Sequence, residues 1–198
     1  MLKPVRTAPP ADPPVSVAEC KSHLRVSHSD DDTIIGIYLN AAVARLDGYS
    51  GILGRCMVTQ SWRQDFECWP DLSVIRLPFA DVSAVTSLKY FDADNVEQTV
   101  SAGLYALAED ELGGLLWLKK DFTAPTHNDD RPDPIQVTFV AGYGAAAAVP
   151  AALKAAILLM VGDFYENRED TVIGVGVDVR PLPRGVDALI APYRRVGV

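Results

Sequence analysis

The stretch V-P-A-A-L-K-A-A-I-L-L-M-V-G-D-F-Y-E-N-R-E, from Val149 to Glu169, decides the fold. Pro150 suits the first position of a helix, where its missing N–H group costs nothing. Four apolar residues then recur at helical spacing: Leu153, Ile157, Met160 and Phe164. The opposite side of this helix is apolar too, because Lys154 is the only charged residue between 151 and 162. We therefore expect a helix enclosed on most of its circumference, by its own domain or by neighbouring subunits.

The composition is that of an ordinary globular protein with an acidic balance. The 198 residues are 48% hydrophobic and 22% charged, which fits one domain or one domain with an insertion. The formal net charge of −8 disfavours nucleic-acid binding, since phosphate contacts need clustered Lys and Arg. DNA can pass an acidic surface without binding to it. No apolar run approaches the ~20 residues of a membrane span, so we expect no membrane partner.

Several sequence patterns resemble cofactor-binding or metal-binding sites only in part. Gly142-x-Gly144-x-x-Ala147 follows a predicted strand, as in dinucleotide folds, but Pro150 would interrupt the phosphate-binding helix, so we expect no cofactor. The set Cys20, His23 and His28 lacks a fourth metal ligand. The aspartates at 30–32 suit a helix start, and those at 129–130 suit a solvated loop, so we expect no metal site.

Nucleophilic and carboxylate catalysis are also weakly supported. The three cysteines, Cys20, Cys56 and Cys68, show no C-x-x-C spacing, which predicts free thiols in a reducing cytoplasm. Asp65 and Glu67 lie two apart on a predicted strand and so would share a face. Paired carboxylates can hydrolyse glycosides, which keeps a hydrolase acting on a cell-surface polymer as a less favoured alternative. We expect no catalytic residues.

The first part of the chain predicts an arm followed by two helices. Residues 1–15 contain five prolines and little to bury, which predicts a disordered arm. Ser16-x-x-Glu19 is a capping box that begins a helix ending near Arg25. A second helix follows, capped by Ser29 or Asp30 and ended by Gly51. Its predicted apolar stripe is Ile35, Leu39, Ala42, Leu46 and Tyr49.

The middle of the chain changes from helical to alternating periodicity. It predicts strands at 57–66, 74–77, 85–91, 96–100, 115–118 and 135–140, with a hairpin turn at 92–95 and a mobile polar loop at 119–134. The expected fold class is therefore α+β. A helical core formed by residues 16–56 and 141–198 carries a mostly antiparallel β-rich insertion at residues 57–140.

Several quoted stretches resemble, in order, the head–tail connector proteins of long-tailed phages. The front, V-S-V-A-E-C-K-S-H-L-R-V-S-H-S-D-D-D-T-I-I from Val15, is one. The others are T-Q-S-W from Thr59, I-R-L-P-F-A-D-V from Ile75, V-T-F-V-A-G-Y from Val137, V-P-A-A-L-K-A-A-I-L-L from Val149, Y-E-N-R-E from Tyr165 and L-P-R-G-V-D-A-L-I-A-P-Y-R from Leu182. The resemblance spans about residues 14–194. Gene transfer agents, which are phage-derived particles carrying host DNA, use similar adaptors.

The resemblance implies a structural adaptor in the neck of a virion or gene transfer agent particle. Such adaptors form a ring, commonly of twelve copies, between the portal protein of a DNA-filled capsid and a head-closure (stopper) or tail protein. DNA would pass through the channel without specific binding, and the protein would be made in the bacterial host cytoplasm. Another neck component, such as a head-closure or tail-completion protein, is the nearest alternative.

Two sets of residues become candidate contacts under this resemblance. The portal-docking candidates lie in the C-terminal segment: Arg180, Leu182, Val186, Leu189, Ile190, Tyr193, Arg194 and Arg195. The alternative is that residues 180–193 fold back onto the helices of their own subunit. The inter-subunit candidates are the apolar stripe and the charged end of the long helix: Leu153, Ile157, Met160, Phe164, Glu166, Arg168 and Glu169. The charged residues either form ion pairs across the ring or lie at a solvated end of the helix.

Overall fold

The computed structural model describes residues 1–70, 73–110, 112–167 and 184–195. Over these residues the chain is α+β, as predicted. The helices are α1 (Val17–Leu24), α2 (Asp32–Leu46), α3 (Ala151–Glu166) and α4 (Arg184–Ile190). The strands are β1 (Val5–Ala8), β2 (Gln60–Phe66), β3 (Val74–Arg76), β4 (Val82–Phe91), β5 (Glu97–Thr99), β6 (Tyr105–Asp110), β7 (Gly113–Leu118) and β8 (Ile135–Ala141).

The strands form two antiparallel sheets. The larger sheet has the order β1-β2-β8-β4-β5, and the smaller has the order β3-β7-β6. Phe79, in the link between β3 and β4, packs between the sheets. Its ring centroid lies 4.8 Å from that of Trp62 and 6.0 Å from that of Phe139. The buried faces of both sheets thus share one apolar cluster.

The helices form a second apolar cluster around α3. This helix contacts α1, α2 and α4, which explains why it is apolar on nearly every side. Four residues of the predicted α2 stripe are buried against it: Ile35, Leu39, Ala42 and Leu46. Tyr49 lies beyond the helix and is 44% exposed. The enclosure of α3 therefore comes largely from its own chain.

The helix starts are partly as predicted. The Ser16 hydroxyl accepts from the Glu19 N–H at 3.2 Å, and the Glu19 carboxylate accepts from the Ser16 N–H at 2.7 Å, so the capping box is confirmed. Helix α2 instead has Asp31 as its N-cap, without a side-chain cap bond, and it ends at Leu46. The predictions of a Ser29 or Asp30 cap and of an end at Gly51 were wrong.

The N-terminal arm is ordered, which corrects the prediction of disorder. Residues Val5–Ala8 pair with β2, with Val5 opposite Arg63 and Arg6 opposite Trp62. The strand adds to the edge of the larger sheet although its own side chains are exposed. Main-chain hydrogen bonds hold the arm in place, although its proline-rich sequence buries few side chains.

The 119–134 loop is irregular, as predicted, but it is anchored to the larger sheet. The Trp69 indole N–H donates to the Pro125 carbonyl at 2.9 Å. The Arg131 guanidinium stacks over the Phe91 ring at 3.6 Å and also pairs with Asp133. These contacts oppose the expected mobility of the loop, because cation–π contacts and charged hydrogen bonds hold it in one place.

The turn from β8 towards α3 explains the glycine-rich motif. Gly142 and Gly144 both have φ of 128°. A Cβ on Gly142 would lie 2.7 Å from the Val58 carbonyl carbon, too close for any side chain. The Tyr143 N–H donates to the Met57 carbonyl, and the Thr59 N–H donates to the Gly144 carbonyl. The glycines therefore allow two main chains to pack where the helical and β-rich parts meet.

Candidate assembly surfaces

The inner face of α3 belongs to the core of its own chain. Leu153, Ile157 and Met160 are 0–1% exposed, so their side chains have no surface left for a neighbouring subunit. This corrects their assignment as inter-subunit residues. Phe164 is partly buried and its ring lies 6.0 Å from that of Tyr38 on α2, which also fits a role within the subunit.

The outer face of α3 is the part that can meet another subunit. Leu159 is 37% exposed and lies against Gly185 at the start of α4. Glu166, at the C-terminal end of α3, is exposed as well. Arg168 and Glu169, the other predicted ion-pair residues, lie outside the described residues. The accessible surface of α3 thus combines one large apolar side chain with a charged end.

Helix α4 folds back onto the helical core. Val186 and Ile190 are fully buried, and Leu189 and Tyr193 pack against the same cluster. This placement corrects the view of Val186 and Ile190 as docking residues, because they already cover α3. Arg180 and Leu182 lie outside the described residues. Among the described docking candidates, Arg194 is exposed, and its guanidinium pairs with Asp187 at 3.1 Å.

Arg195 joins the C-terminal segment to the β-rich part. Its main-chain N–H donates to the Leu53 carbonyl at 2.9 Å. Its guanidinium donates to the carbonyls of Leu112, at 3.1 Å, and of Pro78 and Leu77. Burial lowers the pKa of this guanidinium, although Arg remains charged at any physiological pH. Arg195 thus connects the helical part, through its main chain, with the β-rich part, through its side chain.

We expect Arg195→Ala to lower the free energy of unfolding by about 2 kcal/mol, because charge-assisted bonds to buried carbonyls would be lost. Arg194→Ala is the matched control and should cost less than about 1 kcal/mol, since its ion pair is exposed. Urea unfolding of both variants measures the difference. Equal losses would show that the Arg195 contacts are not important for stability.

A polar cluster at the junction was not predicted from the sequence. The Arg55 guanidinium pairs with the Asp81 carboxylate at 2.6 Å, and both side chains are mostly buried. Burial raises the pKa of Asp81, although the Arg55 charge opposes this. Nearby, Asp47 accepts from the Met57 N–H at 2.6 Å and from the Gln60 amide at 2.9 Å, and burial raises its pKa too. These bonds fix how the helical and β-rich parts meet.

The smaller sheet carries an exposed aromatic side chain. Trp117 on β7 is 50% exposed, with Val74 and Ala106 opposite it on the two flanking strands. At the other end of this sheet, Arg76 makes two hydrogen bonds to Asp110, which lowers the pKa of that carboxyl to about 2. An exposed tryptophan amid small apolar neighbours is typical of a contact surface.

Two of the residues that suggested catalysis or metal binding, Asp65 and Cys20, have structural roles. The Asp65 carboxylate receives two hydrogen bonds from Arg63, at 2.8 and 2.9 Å, and Glu67 is exposed beyond the end of β2. Cys20 is buried in the helical core, and burial raises the pKa of its thiol to about 11. Across the described ranges, no group of acidic, thiol and imidazole side chains forms a metal site.

In the described part of the chain, no helix is long and apolar enough to cross a bilayer.

Comparison with known proteins finds a family model that matches part of the chain. Residues 14–72, which run from the end of the arm through α1, α2 and β2, match the Phage gp6-like head-tail connector protein family. No curated protein matches the chain.

Solved structures match the whole chain. One chain from the neck of an empty gene transfer agent (GTA) particle, computed with C6 symmetry, is 27% identical with a TM-score of 0.79. Another, from the virion of a native GTA particle, is 26% identical with a TM-score of 0.76. A third, from the neck of a native GTA particle computed with C12 symmetry, is 25% identical with a TM-score of 0.76. Each match covers 100% of this chain and 97% of the other. The α1–α2 region thus matches a head–tail connector family, and the complete chain is similar to chains from GTA necks.

Proposed function

We propose that this protein is a structural head–tail adaptor in the neck of a phage-like or gene transfer agent particle. The observation that carries the proposal is the likeness over the full length to chains in GTA necks, β-rich part included. A likeness limited to α1 and α2 would have left the role of residues 57–140 open. The role is assembly, and it needs no chemistry at the carboxylates considered above.

The ring is proposed to contain twelve copies, lying between the portal protein and a head-closure or tail protein. The C12 symmetry of one similar neck supports this number. The net charge of −8 suits a channel through which DNA passes without being held. We assign the outer face of α3, with Leu159 and Glu166, to the contact between subunits.

The portal-facing surface is proposed to lie at the exposed side of α4 and the residues that follow it. Arg194 and Asp187 are the described charged residues there, and Arg180 and Leu182 remain part of the proposal. Because Val186 and Ile190 are buried, removal of the whole segment would damage the core. Docking must therefore be tested with surface substitutions.

The test is to mix the purified protein with the portal ring of the same genetic element and to measure the mass of the complex. We expect a stable complex with about twelve copies of this chain, in keeping with closed cyclic assembly. Arg194→Glu should weaken it at least tenfold, and Lys89→Glu, which breaks the ion pair of a half-buried lysine on β4, should not. No complex with an intact portal ring would refute portal docking and favour another position in the neck. A screen against cell-surface polymers would then be worthwhile.

A further inference from the structure

Strand β1 is attached to its own subunit mainly through main-chain bonds, with one side-chain contact, the Arg6 guanidinium 6.0 Å from the centroid of the Trp62 ring. Its four side chains are exposed, and Val5 is 47% exposed. Beyond the ladder to β2, the Leu2 N–H donates to the Asp65 carbonyl at 3.0 Å, and the Gln64 amide donates to the Leu2 carbonyl. Bonds of this kind depend on the edge of β2 and hardly on which copy supplies the strand.

The link from β1 to α1 is poorly packed against the rest of the subunit. Three cavities, of about 290, 360 and 440 Å³, lie along residues 3–14. The smallest is a partly open groove between the link and α2, and the next lies between the link and the 144–146 turn. These cavities are partly open to solvent, so the link does not pack closely against the body along them. Residues 9 and 11–13 are exposed, so the middle of the link contributes little burial.

The composition of the link suits an extended path. Residues 9–14 read P-P-A-D-P-P, and such sequences prefer an extended conformation over a turn. Six extended residues span about 20 Å, so the link can place β1 well away from its own base. The far end of the link is fixed, because Pro14 and Val15 are buried at the start of the helical core. The link is thus anchored at its C-terminal end, and its extended part can run in more than one direction.

We propose that in the assembled ring β1 leaves its own subunit and pairs with β2 of the adjacent copy. This inference rests on the proposed ring. The exchanged strand makes the same hydrogen bonds in the same register, so exchange loses no β1–β2 contact. Neighbouring copies in a ring are held at high effective concentration, which favours exchange over binding from solution. Each subunit gives one arm and receives one, so every β2 edge is covered only when the ring is closed.

The test uses rings assembled from a mixture of two single-cysteine variants. Ala8→Cys marks the arm and Ser61→Cys marks its partner position on β2, both in a Cys68→Ser background that removes the exposed native thiol. Cys20 and Cys56 are buried and should not react. A short bis-maleimide then joins thiols that lie close together. Each chain carries one reactive cysteine, so a link between the marked positions must join two different copies.

We expect covalent dimers at about one junction in four for an equal mixture, which is the random share of arm-to-partner neighbours. The control replaces Ser61→Cys by Thr99→Cys, on β5 at the opposite edge of the same sheet, and should give no dimers above background. Rings of full mass that yield no dimers would overturn arm exchange and leave the neck role intact. Failure to form rings even with the portal would count against both proposals, because exchange needs a second copy.

Discussion

Met160→Asp is expected to abolish folding. The Met160 side chain is 1% exposed at the centre of the helical core, so an aspartate there would place a charge among apolar side chains. Such a change costs about 4 kcal/mol or more, which is most of the stability of an ordinary domain. Circular dichroism and size-exclusion chromatography should show an unfolded or aggregated chain.

Leu159→Asp, one position away, should behave differently. Leu159 is 37% exposed, and the substitution should change the free energy of unfolding by less than about 1 kcal/mol. If the outer face of α3 joins subunits, this folded variant should fail to form rings with the portal. Normal rings from Leu159→Asp would refute that assignment. A folded Met160→Asp variant would contradict the description of α3 as enclosed.

Asp81→Ala is expected to lower the free energy of unfolding by about 3 kcal/mol. It leaves the mostly buried Arg55 guanidinium without its partner, and an arginine cannot escape by losing its proton. The double variant Arg55→Met, Asp81→Leu should recover most of the loss, because replacing a buried ion pair by apolar residues is often close to neutral. Urea unfolding of the single and double variants at pH 7 completes the cycle.

The pH dependence of Arg55→Met provides a second check. Burial raises the pKa of Asp81, so the folded state keeps a proton that the unfolded chain releases near pH 4. The contribution of this group is therefore largest at low pH and falls as pH rises through the folded pKa. Without Arg55 the pKa should rise further, so Arg55→Met should be less destabilised at pH 5 than at pH 7. An equal loss at both pH values would mean that Asp81 stays ionised in the variant.

Much of the fold could be predicted because the decisive patterns are local. The capping box at Ser16, the stripe on α2 and the alternation in β8 each act within one element, and each is found where expected. The Asp92–Asn95 turn is also confirmed, since the Asp92 carboxylate accepts from the N–H groups of Asp94 and Val96.

The parts that were missed depend on distant partners. The sequence of β6, Y-A-L-A-E-D, favours a helix by its alanines, but pairing with β7 makes it a strand. Likewise β1 is ordered only because β2, more than fifty residues later, offers an edge. The inner face of α3 could be predicted as enclosed, but only its contacts show that its own chain encloses it.

The junction could not be predicted because its pattern is scattered. Arg55 and Asp81 are 26 positions apart in the sequence. Arg55 lies in the link before β2, and Asp81 lies in the link after β3. Isolated charged residues in an acidic chain are usually solvated, so nothing in the sequence singles out this pair. The same holds for Arg195. In the sequence it is one charged residue after a short helix, whereas in the structure its guanidinium donates hydrogen bonds to main-chain carbonyls of the β-rich part.

The position of Arg195 has a consequence for synthesis on the ribosome. The strands from β2 to β8 can pair as soon as residue 141 has emerged, whereas α1 and α2 must wait for α3 and α4 before their apolar faces are covered. The bonds from Arg195 to Leu53, Pro78 and Leu112 form last of all. A nascent chain therefore exposes the apolar faces of α1 and α2 until α3 has been translated, and pairing between such faces of copies on one polysome would compete with folding during that interval.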